Sequence, residues 1–233
     1  MQLTARDAAR LLGVSESTLY RWLKSGELGG TRVNDQYRFN RIDLLEFATA
    51  RGLEISPDLL AELGAESQPL PSLCDAIRAG GVHRDLPGED KPAVLRAVVE
   101  RIPLPKGTDR ELLHRVLLAR EALGSTGLGN GVAVPHPRNP IVLRVRGPEV
   151  AICYLARPID FEAIDGKPVH TLITIVSPST RAHLHLLALV ANALRDPGVF
   201  AKLEARGGAE DLLPEIARVE AALAARHAGG RGA

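Results

Sequence analysis

The stretch from Gly127 to Pro140 constrains this chain more than any other: Gly-Leu-Gly-Asn-Gly-Val-Ala-Val-Pro-His-Pro-Arg-Asn-Pro. Asn130-Gly131 is a strong two-residue turn signal, because both central positions of such a turn need positive φ. Three apolar residues, Val132 to Val134, then suffice for a short buried strand. His136 stands at the end of that strand, between two prolines. Pro135 fixes its own φ, and Pro137 pushes His136 toward extended backbone, so the segment is stiff. A stiff backbone around one imidazole presents that ring in one geometry. The plain alternative is a histidine in an ordinary Pro-rich turn, and residues elsewhere in the chain decide between the two.

With 233 residues, 45% hydrophobic and 24% charged, the chain is long enough for one large or two small domains. Only 3% of the residues are aromatic, so its cores must be built from Leu, Val, Ile and Ala. The net charge of +1 excludes bulk attraction to nucleic acid or membrane. Cys74 and Cys153 provide neither a disulfide framework nor metal-ligand spacing. There is no basic-then-apolar leader, and no apolar run approaches the roughly 18 residues of a membrane span. A cytoplasmic protein without membrane insertion, metal or cofactor is expected.

Residues 1–51 read as a separate module. Thr4, with Asp7 three residues later, forms a capping box for a helix from Ala5 to about Leu12. Gly13 stops it, and Val14 reads as a buried turn residue. Ser15 caps a second helix, Glu16 to Ser25, with Leu19 and Leu23 facing inward. Thr31 to Phe39 alternates around a polar Asn34-Asp35 tip, as a β-hairpin or wing does. Arg41 to Arg51 is a last short helix. Residues 52–68 hold Glu54, Asp58, Glu62 and Glu66 without Lys or Arg, which fits an acidic linker or helix.

From residue 69 to 226 helices and strands alternate, which makes the whole chain α+β. Helices are expected at Ser72–Ala79, Lys91–Arg101, from a Thr108/Glu111 capping box to about Leu123, at Thr180–Arg195 and at Leu212–Ala225. Strands are expected at Val150–Leu155 and Val169–Val176, joined through a turn at Asp165 to Pro168. Residues 227–233 form a flexible tail. His183 shares a helix face with Leu187, Val190 and Leu194 and points inward. His185 is two residues on, about 200° around the helix, so the pair cannot ligate one metal ion.

Two family resemblances follow from these residues. Leu3-Thr4, Ala8 to Ser15, and Thr18-Leu19-Tyr20-Arg21-Trp22 resemble the winged helix-turn-helix of excisionases and MerR-type regulators. That resemblance implies a second helix entering the DNA major groove, with Ser17, Thr18, Tyr20 and Arg21 outward and Arg32 and Arg38 of the wing on phosphates. The local net charge over residues 1–51 is only +2, which favours a dimer for tight DNA binding. A protein-contact role for the same module is the alternative.

Arg120-Glu121, the run Gly124 to His136, Pro158-Ile159-Asp160-Phe161, Asp165 to Val169, and His183-Leu184 with Leu186-Leu187 resemble the enzyme IIA domain of the phosphotransferase system. The type is that of mannitol, fructose and nitrogen-related regulators. The resemblance implies an α/β sandwich with a mixed sheet flanked by helices. It also implies phosphorylation of His136 by the phosphocarrier HPr or a paralogue, with Arg120 and His183 beside the phosphoryl group and Thr126 donating a hydroxyl hydrogen bond. One position departs from the family, which usually has a small residue after the histidine. Here Pro137 deletes a backbone N–H, and the guanidinium of Arg138 is the expected compensation. With no permease domain fused and a DNA-binding module present, a phosphorylation-responsive regulator is the leading reading. A binding protein that has lost transfer, and a carrier of a transport relay, are the alternatives.

Overall fold

A computed structural model of the protein describes residues 2–33, 36–51, 53, 70–137, 145 and 147–229. It divides into two compact units, Met1–Pro69 and Leu70–Ala233. The wing tip, Arg138, the chain-terminal residues 230–233 and, apart from Leu53, the acidic linker lie outside the described residues.

In the first unit, strand β1 (Gln2–Thr4) leads directly into helix α1 (Ala5–Leu11). The Thr4 hydroxyl accepts the Asp7 amide at 3.2 Å and donates to the Asp7 carboxylate at 2.6 Å, completing the expected box. Helix α2 (Glu16–Lys24) is capped by Ser15, whose hydroxyl accepts the Thr18 amide. Each such cap is worth about 1 kcal/mol. Val14 is half-buried in the turn between the helices, and Leu19 is fully buried beneath α2 while Leu23 is half-buried. Strands β2 (Thr31–Val33) and β3 (Gln36–Asn40) form the expected hairpin, and β1 joins it antiparallel in the order β1-β3-β2. Asn40 then caps α3 (Arg41–Ala50), whose Leu44, Leu45 and Ala48 close the core against Phe39.

The second unit is built on five strands among the described residues, in the order β4-β7-β8-β6-β5. These are β4 (Val82–Leu86), β5 (Gly127–Gly129), β6 (Val132–Ala133), β7 (Glu149–Ile159) and β8 (Val169–Val176). β4–β7 and β6–β8 are parallel pairs, whereas β7–β8 and β5–β6 are antiparallel, so the sheet is mixed. Along β7 and β8 side chains alternate between faces. Ala151, Cys153, Leu155, Leu172 and Val176 pack against helices α5 (Lys91–Arg101) and α6 (Arg110–Glu121) through Val94, Leu95, Val98, Leu113 and Leu117. The residues between them, among them Ile152, Ile173 and Ile175, face the opposite layer. There α4 (Leu73–Gly80) packs on β7 and α7 (Thr180–Arg195) on β8. Gly80 permits the first approach, because a Cβ there would lie 2.5 Å from the Val150 backbone.

Several elements differ from the sequence expectations. β1, β4 and β5 were not anticipated, nor was α8 (Pro197–Glu204), which Asp196 caps. Asp109, not Thr108, caps α6: its carboxylate accepts the Leu112 amide at 2.8 Å. An aspartate at this position offers a charged acceptor to the positive helix end, which a threonine cannot match. The last helix, α9, runs from Ala209 to Gly229, so residues 227–229 continue it.

Candidate functional site

β5 and β6 are joined through Asn130 (φ 51°) and Gly131 (φ 73°), the two positive-φ residues that a tight hairpin of this twist requires. Asp165 fixes the turn from outside, its carboxylate accepting the Asn130 amide at 2.8 Å and the Lys167 amide at 3.1 Å. These amides hold the Asp165 carboxyl below its ordinary value. From Gly131 the chain passes through β6 to His136. The Val134 amide donates to the Thr126 carbonyl at 3.0 Å and the Ile175 amide to the Pro135 carbonyl at 3.2 Å, anchoring the segment on both sides.

His136 is 2% exposed. Its Nδ1 lies 2.7 Å from the Val134 carbonyl oxygen. A carbonyl has no proton to give, so Nδ1 donates, and in the neutral ring the lone pair resides on Nε2. His183, in the first turns of α7, is fully buried, and its Nδ1 lies 3.2 Å from the Ser177 hydroxyl. The two imidazole centroids are 5.2 Å apart. Residues separated widely in sequence are thus brought together between the end of β6 and the start of α7.

Arg120 closes the last turn of α6, buried, with Nη1 donating to the Gly124 carbonyl at 2.8 Å. The neighbouring Glu121 is buried too. Its carboxylate accepts the Thr126 amide and, at 2.7 Å, the Thr126 hydroxyl. The proton that the sequence reading directed to a phosphoryl group is here engaged by Glu121.

In the first unit, α2 exposes Ser17, Tyr20 and Arg21, while Thr18 is half-buried with its hydroxyl 3.0 Å from that of Ser15. Tyr20 meets Tyr37 of the wing edge-on, with ring centroids 6.1 Å apart. Arg32 is the cross-strand partner of Tyr37, so both lie on that face of the hairpin. Arg38 pairs across with Thr31 on the opposite face and donates to Gln36 at 3.0 Å. The two wing arginines are therefore separated by the strand pleat.

Residues 76–219, more than half of the chain, match the family model of the phosphoenolpyruvate-dependent sugar phosphotransferase system, EIIA 2. The chain belongs to that family. Residues 3–52 of the same chain match a helix-turn-helix domain. A nitrogen regulatory protein of Pseudomonas aeruginosa is 36% identical over 140 residues, 58% of this chain and 88% of the relative. A fructose-specific EIIA component of the phosphotransferase system from Haloferax volcanii is 30% identical over 138 residues, 55% of this chain and 88% of the relative. The crystal structure of the nitrogen regulatory protein IIA-Ntr from Neisseria meningitidis superposes with a TM-score of 0.54 at 26% identity, covering 62% of this chain and 98% of that one.

The chain thus holds a helix-turn-helix domain followed in sequence by an EIIA unit. Among the described residues no group of His, Cys, Asp and Glu is arranged to hold a metal ion, and no helix is long and apolar enough to cross a membrane. Sequence reasoning placed Glu121 only within a motif and missed its partner. Lys91, at the start of α5, reaches Glu121 at 3.2 Å and Glu162 at 2.6 Å. Burial pulls the Lys91 ammonium down, but the two glutamates outweigh it and hold the group above its ordinary value. An i,i+4 rule finds ion pairs within a helix, and nothing in the sequence signals one between helices thirty residues apart.

Proposed function

We propose that this protein is a phosphorylation-responsive DNA-binding regulator whose EIIA unit accepts a phosphoryl group on His136. The observation that carries the reading is the bond from His136 Nδ1 to the Val134 carbonyl, which leaves Nε2 as the nucleophilic nitrogen. The donor is a phosphohistidine protein, HPr or a paralogue. The Nε2 lone pair forms a new N–P bond as the donor's N–P bond breaks, and the electron pair of the broken bond returns to the donor imidazole. His136 need not lose a proton, because its N–H stays on the Val134 carbonyl. Positioning and charge stabilisation supply the rest of the catalysis. His183 flanks the reacting ring, and Arg120 and Arg138 serve the phosphoryl oxygens, Arg138 in place of the amide that Pro137 lacks, while Thr126, whose hydroxyl donates to Glu121, holds the loop. The activity is that of a phosphohistidine carrier working in the cytoplasm.

The helix-turn-helix unit is the output. Tyr20, Arg21 and Arg32 surround one face of α2 and the wing, with Ser17 and Thr18 at the helix N-terminus where phosphate binds well. A homodimer supplies the affinity that a local charge of +2 does not. The test is incubation with labelled phosphoenolpyruvate, enzyme I and HPr homologues, followed by DNA binding with and without the label. Incorporation at His136 that changes DNA affinity supports the regulator. Absence of label assigns the protein to the non-transferring class.

A further inference from the structure

Glu121 poses a physical problem. Its side chain is 5% exposed, and a carboxylate so buried costs several kcal/mol unless donors surround it. Donors do surround it: the Lys91 ammonium, the Thr126 amide and the Thr126 hydroxyl. Lys91 is itself 17% exposed, clamped between Glu121 and Glu162, with its Nζ 5.2 Å from the centre of the Phe161 ring. Two helices and two loop segments converge here: α5, α6, the residue just before β5 and the segment after β7.

The cluster does not end at Thr126. The Thr126 carbonyl accepts the Val134 amide at 3.0 Å, and the Val134 carbonyl accepts His136 Nδ1 at 2.7 Å. From the Lys91 ammonium to the imidazole, each donor meets an acceptor without a gap. The last acceptor in the series is the atom that selects which ring nitrogen carries the proton.

We infer that Glu121, clamped by Lys91 and acting through Thr126, is a positioning residue that sets the Nδ1–H tautomer of His136. Thr126 moves if its two bonds to Glu121 are lost, and Val134 moves with it. The carbonyl then no longer meets Nδ1, and the proton redistributes between the two nitrogens. Small misplacements of a reacting group cost up to about 100-fold in rate. The consequence for phosphoryl transfer rests on the function proposed above, whereas the tautomer assignment does not.

The experiment uses the full chain labelled with 15N and long-range 1H–15N correlation of the His136 ring, at a pH where the ring is neutral. In the parent Nδ1 carries the proton and Nε2 does not. Glu121→Gln and Thr126→Val mix or invert the tautomers, raise exchange of the Val134 amide by about 10-fold or more, and slow transfer about 10- to 100-fold. Lys91→Met acts in the same direction. His183→Ala leaves the His136 tautomer as in the parent. Thr126→Val keeps the Lys91–Glu121 pair intact, so it decides the matter if Glu121→Gln does not fold. Retention of the parent tautomer in a folded Glu121→Gln, or failing that in Thr126→Val, overturns the inference. A tautomer that depends on Glu121 in a parent that accepts no phosphoryl group supports the positioning role and removes the proposed transfer.

Discussion

The imidazole rings of His136 and His183 stand 5.2 Å apart, centroid to centroid, with their planes tilted by 45°. His136 Nδ1 faces the Val134 carbonyl, which can only accept, whereas His183 Nδ1 faces the Ser177 hydroxyl, which can donate or accept, so the two are not equivalent. His136→Ala should abolish an acid-labile phosphoryl label altogether. His183→Ala should retain the label but form it about 100-fold more slowly, as expected for losing one positioned polar group. Quench-flow labelling with a phosphorylated HPr homologue separates the two outcomes, and equal labelling of the His136 variant would remove the assignment.

Pro137 is buried directly after His136 and has no amide that could bind a phosphoryl oxygen. Pro137→Gly should therefore raise the transfer rate, and Arg138→Ala should lower it sharply. In the double variant the restored amide should recover part of the loss. If all three transfer like the parent, the proline is neutral and the arginine carries no such task.

The separation of the wing arginines yields a differential prediction for DNA. Arg32, on the Tyr20–Tyr37 face, and Arg21 on α2 should matter more than Arg38 on the opposite face. Arg21→Ala should cost about 1–3 kcal/mol on the preferred site if it reads a base edge. Arg38→Ala should weaken all sequences slightly and alike. Titrations at two salt concentrations on the upstream region of its own gene measure both, and the low local charge predicts a shallow salt slope.

Glu149, at the head of β7, is half-buried, and burial pushes its carboxyl from 4.5 up to about 7 against a weaker downward pull from Arg110. Between those values the native state holds a proton that the unfolded chain has released. The contribution of Glu149 to stability therefore falls as pH rises from about 4.5 through about 7. Glu149→Gln should flatten that slope and be more stable than the parent at pH 8, by about the amount lost on the way up. Urea unfolding followed by circular dichroism at pH 5 and 8 tests this. Fluorescence of Trp22, the single tryptophan, reports the helix-turn-helix unit separately.

Gly131 is fixed twice over, by a φ of 73° and by a neighbour: an added Cβ would fall 2.1 Å from Nε2 of His170. Gly131→Ala should cost about 1–3 kcal/mol from the backbone alone. His170 must also turn away, although its own amide donates to the Gly131 carbonyl at 2.9 Å. Thermal unfolding at fixed pH measures the loss, and an unchanged midpoint would show that the turn re-forms otherwise.

What was legible in the sequence was local. Thr4 with Asp7, Ser15 before α2, and Asn130-Gly131 each act within a few residues, and each acts in the structure as its chemistry dictates. The IIA motif was legible because one contiguous run carries it. Elements that draw their stability from distant partners were not. β4 places His83, Arg84 and Asp85 in its middle, which reads as loop, and it is a strand because it pairs along one edge of β7. β5 contains two glycines and reads as a flexible approach, yet β6 holds it in the sheet. At α8 the signal was present and overlooked: Asp196 caps the helix and Pro197 occupies its first turn. Glu121 and Lys91 come together only through the packing of α5 on α6, which no spacing in the chain encodes.

The carboxylate of Glu220, late in α9, accepts the Leu73 amide at 2.7 Å, the Cys74 amide at 3.3 Å and the Ser72 hydroxyl at 3.2 Å. The first helix of the EIIA unit is thus fastened by one of its last residues. On the ribosome this sets a timetable. The helix-turn-helix unit, whose contacts close within its own first stretch of chain, can form while the rest is still being made. The EIIA unit is complete only once residue 220 has emerged, so the newborn protein can possess its helix-turn-helix unit before its EIIA unit is closed.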